Sequence, residues 1–294
     1  MRAGIFVLIC ALLLGCHSEP GEESVSEENL TQRQEEGSVT SSDGVPIAYA
    51  IEGRGDIALV FIHGGFYDSS VWSNQVDVFT DDYQVVTLDL AGHGASGTNR
   101  DRWTLEAFGG DVRAVVEALD LERVLLIGHS MGGPVMLEAA QLMPERVIGL
   151  IAVDTLQNAD FEWHEEAWED RIEAYRKNFP NACREMADQM FPADADQDLV
   201  AMIMDKMCRM PPVIAIAIFE NYPSYDIAAA MGAVTVPIRG INADLWPTNM
   251  EGNRKYAPGY DAVIMEGVGH FPMLERPGEF NSHLARIVDE LTRE

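Results

Sequence analysis

The sequence contains few basic residues, and this shortage excludes several kinds of partner. Lysine and arginine total 20 against 48 aspartates and glutamates, which gives a net charge of −28 over 294 residues. No basic stripe is present to neutralise phosphates, which argues against nucleic-acid binding and against electrostatic attachment to anionic lipid. We therefore interpret the acidity as a solvated surface. The 47% hydrophobic content is enough for one large α/β domain or two small ones.

The N-terminal apolar run is also short. Residues 5–14 are apolar and follow the single charge of Arg2, a pattern typical of a signal peptide and too short for a bilayer span. The run ends in Leu-Leu-Gly-Cys at residues 13–16, which looks like a bacterial lipobox. An ordinary signal peptide with an incidental Cys16 is the alternative. We favour cleavage before Cys16 and its lipidation, because the preceding residue is small and no A-x-A site is present.

This interpretation predicts a lipoprotein signal peptide over residues 1–15 and a lipid-anchored protein in the bacterial cell envelope. The anchor would lie on the periplasmic or outer-surface side of a membrane. Residues 17–37 contain seven Glu and one Arg among small polar residues, with almost nothing to bury. We expect residues 16–37 to form a disordered acidic tether that holds a folded domain off the membrane surface.

Cysteine is scarce, with four in the chain. Cys10 would leave with the signal peptide and Cys16 would carry lipid, so Cys183 and Cys208 remain. An even pair in an exported, oxidising compartment favours a disulfide between them, with two buried thiols as the alternative. A metal site is disfavoured, because His164 is the sole histidine near them in sequence.

The folded part is predicted from residue 38 and has the pattern of a parallel sheet. A hairpin signal surrounds Asp43-Gly44, and continuous apolar runs at residues 57–62, 85–88 and 124–127 are typical of strands covered on both faces. Residues 103–119 have apolar side chains at helical spacing between two of these runs. Strands that alternate with helices through short connections predict a parallel sheet with right-handed crossovers.

The stretch with the strongest functional signal is Gly-His-Ser-Met-Gly at residues 128–132. It joins an apolar run to an amphipathic helical pattern. A serine on a strained strand-to-helix turn needs neighbours without side chains, so that its Oγ stands clear of the sheet. Pro134 suits the first turn of the following helix. Ser130 is therefore a candidate nucleophile.

A long insertion separates two later strand patterns. Residues 147–153 and 236–241 read as strands, whereas residues 155–232 contain no convincing sheet strand and are too long for a loop. We predict a helical cap over residues 155–232 and a core formed by residues 38–154 and 233–294. The apolar segment 213–219 resembles a strand, but its alanines and context favour a buried helix.

Four motifs in order resemble those of the α/β-hydrolase superfamily. They are His-Gly-Gly-Phe at 63–66, Asp-Leu-Ala-Gly-His-Gly at 89–94, the Ser130 turn, and Gly-Val-Gly-His-Phe-Pro-Met-Leu-Glu at 267–275. The resemblance implies an α/β-hydrolase fold, with a mostly parallel central sheet flanked by helices and an inserted helical cap. It also implies a serine, acid and histidine triad in that chain order, in which His270 matches the base. The six other histidines are interpreted as structural.

The acid has two candidates. Asp244 follows the strand that usually carries the acid in this superfamily, although the usual glycine three residues earlier is replaced by Ile241. Asp154 ends the preceding strand, where some relatives place the acid. We favour Asp244, and keep Asp154 as the alternative.

The resemblance further implies that backbone N–H groups of Gly65 and Met131 form the oxyanion hole. Nothing in the sequence requires a metal or an organic cofactor. The absence of aspartate at the turn disfavours dehalogenase and epoxide hydrolase chemistry. The preferred function is a serine hydrolase acting on a small-molecule carboxylic ester or lactone. Carbon–carbon bond hydrolysis, amide hydrolysis and perhydrolysis remain open, as does a binding or signalling module with little turnover.

The cap is expected to form the substrate pocket. The candidate lining residues are Trp163, Trp168, Phe179, Met186, Phe219 and Tyr222, each of which also fits ordinary packing within the cap. Six acidic residues at 160, 162, 165, 166, 169 and 170 would make the entrance acidic if they face it, and would then disfavour anionic acyl groups. The sequence leaves the oligomeric state open.

Overall fold

A computed structural model describes residues 35–162 and 164–293. The predicted signal peptide, the lipidation site Cys16 and most of the predicted tether lie outside the described residues. The folded part starts earlier than the sequence predicts, because strand β1 spans Glu35–Thr40. Its first three residues pair with β2 through main-chain hydrogen bonds. Polar side chains do not prevent this pairing, because it uses only backbone groups.

Eight strands form one mixed sheet. They are β1 (Glu35–Thr40), β2 (Pro46–Gly53), β3 (Ala58–Ile62), β4 (Gln84–Leu88), β5 (Val124–His129), β6 (Val147–Val153), β7 (Ile238–Ala243) and β8 (Asp261–Met265). Their order is β1-β2-β4-β3-β5-β6-β7-β8. The pairs β1–β2 and β2–β4 are antiparallel, and all the others are parallel. The mostly parallel sheet predicted from the sequence is confirmed.

The centre of the sheet is covered on both faces. All residues of β3 and of β5 are buried. Successive side chains of a strand point to opposite faces, so this pattern requires packing above and below the sheet. The covering helices outside the insertion are α1 (Val76–Phe79), α2 (Leu105–Ala118), α3 (Gly132–Leu142), α8 (Met250–Tyr256), α9 (Pro272–Glu275) and α10 (Pro277–Thr292).

The segment between β6 and β7 is helical. Its described residues contain α4 (Glu165–Asp188), α5 (Gln197–Met207), α6 (Pro212–Asn221), α7 (Ile227–Ala233) and no strand. Helix α4 is two helical pieces that meet at Asn178, whose backbone is extended two residues before Pro180. The predicted helix over residues 213–219 is confirmed as part of α6. None of the helices among the described residues has the length and apolarity of a membrane span.

A disulfide joins the first two helices of this insertion. Cys183 lies on α4 and Cys208 follows the last residue of α5, and the two are bonded. The predicted pairing is confirmed. Cys183 is fully buried and Cys208 is partly buried, so the bond ties the interior of the insertion to a position nearer its surface.

A buried ion pair ties the β1–β2 hairpin to α2. Arg100 donates to both carboxylate oxygens of Asp111, at 3.0 and 2.5 Å, and through Nε to Asp43 at 2.7 Å. Asp111 also accepts the N–H of Ala91 at 3.2 Å. Burial raises the pKa of Asp111 to about 6, although the hydrogen bonds from Arg100 oppose that shift. Arg100 therefore connects its own loop to α2 through Asp111 and to the β1–β2 hairpin through Asp43. The Asp111 carboxylate is the group that is costly to bury.

Candidate active site

Ser130 lies on the sharp turn that the sequence predicts between β5 and α3. Its φ is +52°, a left-handed conformation that non-glycine residues rarely adopt. The glycines on either side are required by close backbone contacts. A Cβ at residue 128 would lie 2.3 Å from the carbonyl oxygen of Gly132, and one at residue 132 would lie 2.5 Å from that of Ile62. The turn is therefore closely packed and holds the serine at its apex.

Hydrogen bonds to the end of β6 fix this turn. The N–H of Ser130 donates to the carbonyl oxygen of Val153 at 3.1 Å. The carbonyl oxygen of Ser130 accepts the hydroxyl of Thr155 at 2.8 Å. The serine backbone therefore cannot relax its strained conformation without breaking contacts to the neighbouring strand.

The carboxylate nearest to His270 belongs to Asp154. His270 donates from Nδ1 to Oδ2 of Asp154 at 2.5 Å, and the Asp154 side chain is fully buried. The other carboxylate oxygen accepts the N–H of Ala243 at 2.8 Å and the amide of Gln157 at 3.1 Å. Both oxygens are therefore satisfied, and Nε2 of His270 is left as the proton acceptor.

The prediction that Asp244 orients His270 is wrong. Asp244 is exposed, and its Oδ1 accepts the N–H of Gly267 at 2.8 Å. This contact ties the end of β7 to the loop that precedes His270. A solvated carboxylate bound to the loop backbone does not contact the imidazole. The contact with His270 is made by the alternative, Asp154, at the end of β6, which lies directly beside the strand that carries the Ser130 turn.

The loop that carries His270 is held on all sides. The N–H of His270 donates to the carbonyl oxygen of Met190 at 2.7 Å, and the carbonyl oxygen of His270 accepts a hydrogen bond from Nε2 of His129 at 2.7 Å. The carboxylate of Glu275 accepts the N–H groups of Gly269 at 2.7 Å and Phe271 at 3.1 Å. Burial raises the pKa of Glu275, and those two hydrogen bonds oppose the shift.

His129 brings the nucleophile turn and the base loop together. Its ring centroid is 4.7 Å from that of His270. Burial, and then the nearby His270, lower the pKa of His129 well below the usual range, so it is neutral and donates from Nε2. Within the described residues no hydrogen bond joins Oγ of Ser130 to His270. Hydrogen bonds of this kind often shorten only in the complex with substrate.

The turn at residues 63–66 lies against the serine. A Cβ at Gly64 would be 2.9 Å from Cβ of Ser130, and one at Gly65 would be 3.6 Å from the sulfur of Met131. Phe66 has φ +65° and is buried, and its ring is 5.0 Å from that of Phe219. Gly65 and Met131 thus adjoin each other beside Ser130, the arrangement that a pair of oxyanion donors needs.

A small cavity opens in front of Ser130. Its volume is about 110 Å³. We call it the inner cavity, and its lining residues are Gly65, Phe66, Ser130, Met131, Trp168, Met186, Met190, Met207, Ile218, Phe219 and Tyr222. Within 35–162 and 164–293, no three His, Cys, Asp or Glu side chains are grouped to hold a metal ion.

Comparison with known proteins agrees with this geometry. A sequence profile of the alpha/beta hydrolase family matches residues 59–283. The chain belongs to the α/β-hydrolase family. The family assignment covers β3 to β8, together with the Ser130 turn, Asp154 and His270.

Individual relatives of this α/β-hydrolase differ in what their names describe. Karrikin insensitive 2 receptor CA of Petunia hybrida is 27% identical over 244 residues, which is 77% of this chain and 90% of that receptor. A thermophilic esterase from Thermogutta terrifontis superposes with a TM-score of 0.77 at 23% identity, over 87% of this chain and 99% of the esterase. Est816, described as an N-acyl homoserine lactone degrading enzyme, gives 0.74 at 23% identity, over 85% and 99%. The two structural likenesses show the fold alone.

The cap of this α/β-hydrolase contributes most of the predicted lining. Trp168, Met186, Phe219 and Tyr222 line the inner cavity, as the sequence predicts. Phe179 instead packs behind Phe66, with ring centroids 6.4 Å apart. Trp163 lies outside the described residues.

A second cavity of about 460 Å³ adjoins the inner one, and we call it the outer cavity. It shares Trp168, Met186, Met190 and Phe219 with the inner cavity, and is further lined by Phe161, His164, Ala167, Arg171, Gln189 and Trp246. None of the six acidic residues expected at an acidic entrance lines either cavity. Asp160 instead pairs with Lys255 at 2.6 Å, and Glu165, Glu169 and Asp170 line a separate surface depression. The condition for an acidic entrance, that these residues face the substrate cavity, is therefore not met, because none of the six lines either cavity.

The sequence predicts no specific contact for three groups that hold the site, of which only His129 was interpreted as structural. They are the hydroxyl of Thr155, the imidazole of His129 and the carboxylate of Glu275. Glu275 had a detectable signal, because a carboxylate five residues after the base is within reach of backbone N–H groups of a tight loop. The partners of Thr155 and His129 are carbonyl groups of residues on other segments, which no local pattern reveals.

Proposed function

We propose that this protein is a serine hydrolase that cleaves a carboxylic ester or a lactone through an acyl-enzyme on Ser130. The observation that carries the proposal is the buried Asp154–His270 pair, at 2.5 Å, beside a serine on a strained turn. His270 acts as general base and Asp154 as the orienting acid. The esterase and the lactone-degrading enzyme among the structural neighbours agree with this class of substrate.

The residues divide the chemistry into two steps. In the first, Oγ of Ser130 attacks the carbonyl carbon while Nε2 of His270 takes the hydroxyl proton, and N–H groups of Met131 and Gly65 bind the oxyanion. Collapse breaks the bond to the alkoxide, which receives that proton from His270. In the second, His270 takes a proton from a water that attacks the acyl carbon, and returns it to Oγ of Ser130 as the bond to the serine breaks and the acid is released. For a lactone the released alcohol stays attached, and the product is a hydroxy acid.

Labelling with a fluorophosphonate probe tests the nucleophile. We expect the wild-type protein to be labelled and Ser130→Ala not to be labelled. A panel of p-nitrophenyl esters, lactones and amides, with Ser130→Ala as the blank, then identifies the bond. Unlabelled wild type, or Ser130→Ala that is labelled equally well, would defeat the serine-hydrolase proposal.

A second candidate is a binding or signalling module with little turnover, which the likeness to a protein named as a receptor favours. The two candidates differ in steady-state turnover. Fluorophosphonate labelling of Ser130 without turnover of any panel substrate would support the receptor-like function. Sustained turnover of an ester or lactone would support the hydrolase.

We also propose that the protein is exported and anchored through lipid on Cys16. The support is the Leu-Leu-Gly-Cys sequence after a short apolar run. Expression in a bacterial host with radiolabelled palmitate should label the wild-type protein and leave Cys16→Ala unlabelled. Equal labelling of the two proteins, or an unlabelled wild type, would contradict the anchor.

A further inference from the structure

The inner cavity is lined by Ser130 itself, whereas the outer cavity is related to His270 through the ring of Trp246. The inner cavity contains Ser130 and both expected oxyanion donors, Gly65 and Met131. The outer cavity contains Trp246, whose ring lies edge-on to His270 with centroids 5.4 Å apart. One cavity is therefore associated with the oxyanion donors, and the other with the imidazole.

The chemistry of acyl transfer assigns a different part of the substrate to each side. The leaving oxygen must lie within hydrogen-bond reach of the imidazole that protonates it. The acyl carbon is bonded to Ser130 in the intermediate, with its oxygen on the backbone N–H groups. The acyl chain consequently extends into the space beside the donors, and the alcohol into the space beside the imidazole.

We propose that the inner cavity binds the acyl chain and the outer cavity binds the alcohol, so that the substrates are short-chain acyl esters of large apolar alcohols. This inference rests on the proposed serine-hydrolase function and deepens it. It also predicts which wall limits the acyl chain. Met207 and Ile218 lie on α5 and α6 and line the inner cavity alone.

The volumes of the two cavities set the sizes of the acyl and alcohol groups that they can hold. At roughly 30 Å³ per water-sized group, the inner cavity of about 110 Å³ holds about four heavy atoms, which matches the four carbons of a butyryl group whose carbonyl oxygen is bound by the N–H donors. By the same measure the outer cavity of about 460 Å³ holds about fifteen heavy atoms. An aryl group or an octyl chain fits the outer cavity but exceeds the inner one.

The linings agree with this division. Among the described residues, the inner cavity has no charged lining side chain, and four of its lining residues are methionines. Such a surface suits an aliphatic chain without charge. The outer cavity is flanked by the large apolar side chains of Phe161 and Trp246, which are 54% and 39% exposed. These two exposed apolar side chains suit a bulky apolar leaving group, while His164, Arg171 and Gln189 make the rest of the lining polar.

Two ester series test the proposal. One keeps p-nitrophenol and lengthens the acyl group from acetate through butyrate and hexanoate to octanoate. The other keeps acetate and enlarges the alcohol from ethanol through butanol to octanol and 1-naphthol, with acid release followed by pH-stat. We expect kcat/KM to fall at least tenfold from butyrate to hexanoate, and to stay level or rise along the alcohol series. Level or rising values along the acyl series, or a tenfold fall along the alcohol series, would overturn the proposal.

Variants of Met207 and Ile218 test whether these two side chains limit the length of the acyl chain. Ile218→Ala and Met207→Ala are each expected to raise the hexanoate-to-butyrate ratio of kcat/KM at least fivefold. Met202→Ala is the matched control, because Met202 lies on α5, is 51% exposed and lines neither cavity. Circular dichroism selects the variants that fold, and an unchanged ratio in a folded wall variant contradicts the assignment. Failure of the fluorophosphonate to label Ser130 defeats the proposed function, whereas normal labelling with the reverse length dependence defeats this inference alone.

Discussion

Replacing Asp154 by Asn should reduce kcat by three to four orders of magnitude. The carboxylate is fully buried and accepts Nδ1–H of His270 at 2.5 Å. Loss of a charge about 4 Å from the imidazolium costs about 4 kcal/mol at an effective dielectric constant near 20. Because about 1.4 kcal/mol corresponds to a tenfold change in rate, charge loss alone gives roughly a thousandfold.

The surroundings of Asp154 predict a further loss. The N–H of Ala243 donates to Oδ1 at 2.8 Å, so an asparagine at this position would turn its carbonyl oxygen toward Ala243. Its NH₂ group would then face Nδ1 of His270, which has to become the acceptor. The proton moves to Nε2, and the ring can no longer accept the Ser130 hydroxyl proton.

The assay compares Asp154→Asn with Asp244→Asn on one p-nitrophenyl ester across a pH series. Asp244 is exposed and bound to the N–H of Gly267, so Asp244→Asn should change kcat by less than about threefold. Thermal unfolding of both variants controls for misfolding. The reasoning is refuted if folded Asp154→Asn retains more than a tenth of wild-type kcat, or if Asp244→Asn loses more than Asp154→Asn.

Three further predictions concern groups that support the site and the fold. Glu275→Gln leaves one of the two N–H groups beside His270 without its acceptor. In steady-state kinetics, kcat should therefore fall about tenfold while KM stays within about twofold. An increase in KM alone would contradict this prediction. Arg100→Met leaves Asp111 buried without its partner and should lower the free energy of unfolding by about 3–5 kcal/mol at pH 7. In the wild type, burial raises the pKa of Asp111 to about 6 against the hydrogen bonds from Arg100 that lower it, so removing Arg100 should raise this pKa further. The folded variant then binds more proton than the folded wild type between pH 7 and pH 5, so the loss should be smaller at pH 5 in urea unfolding; a loss at pH 5 equal to that at pH 7 would argue against this further shift. The Cys183–Cys208 bond has a sequence separation of 25, and its reduction should lower the free energy of unfolding by about 3 kcal/mol. Denaturant titration with and without reductant measures this difference. Unchanged stability would show that the bond hardly restricts the unfolded chain.

The interior strands were predictable because the positions that are apolar in the sequence are the positions that are buried in the structure. The apolar runs that predict β3 and β5 are buried throughout, so composition alone identifies them. The beginning of β1 was not predictable in this way. Glu35 and Glu36 enter the sheet through backbone pairing with Ile51 and Ala50, and their polar side chains give no strand signal.

The turn that carries Ser130 was predictable from local requirements, whereas the carboxylate that contacts His270 was not. Ser130 needs glycines at fixed positions around it, and those glycines are visible in the sequence. Asp154 and Asp244 both follow a buried strand, so nothing local separates them. The difference lies in the groups around Asp154, since His270, Ala243 and Gln157 reach it from three separate segments.

One hydrogen bond connects the shape of the pocket to the position of the base. The carbonyl oxygen of Met190 accepts the N–H of His270 at 2.7 Å, and the same Met190 lines both cavities. Met190 follows α4, the helix that the disulfide at Cys183 joins to the end of α5. A change that loosens α4 therefore widens the inner cavity and also releases the backbone of the base. Variants of α4 that admit longer acyl chains should consequently lose kcat on short ones, unlike variants of Met207 and Ile218 on α5 and α6, because Met190 follows α4 and contacts the backbone of His270.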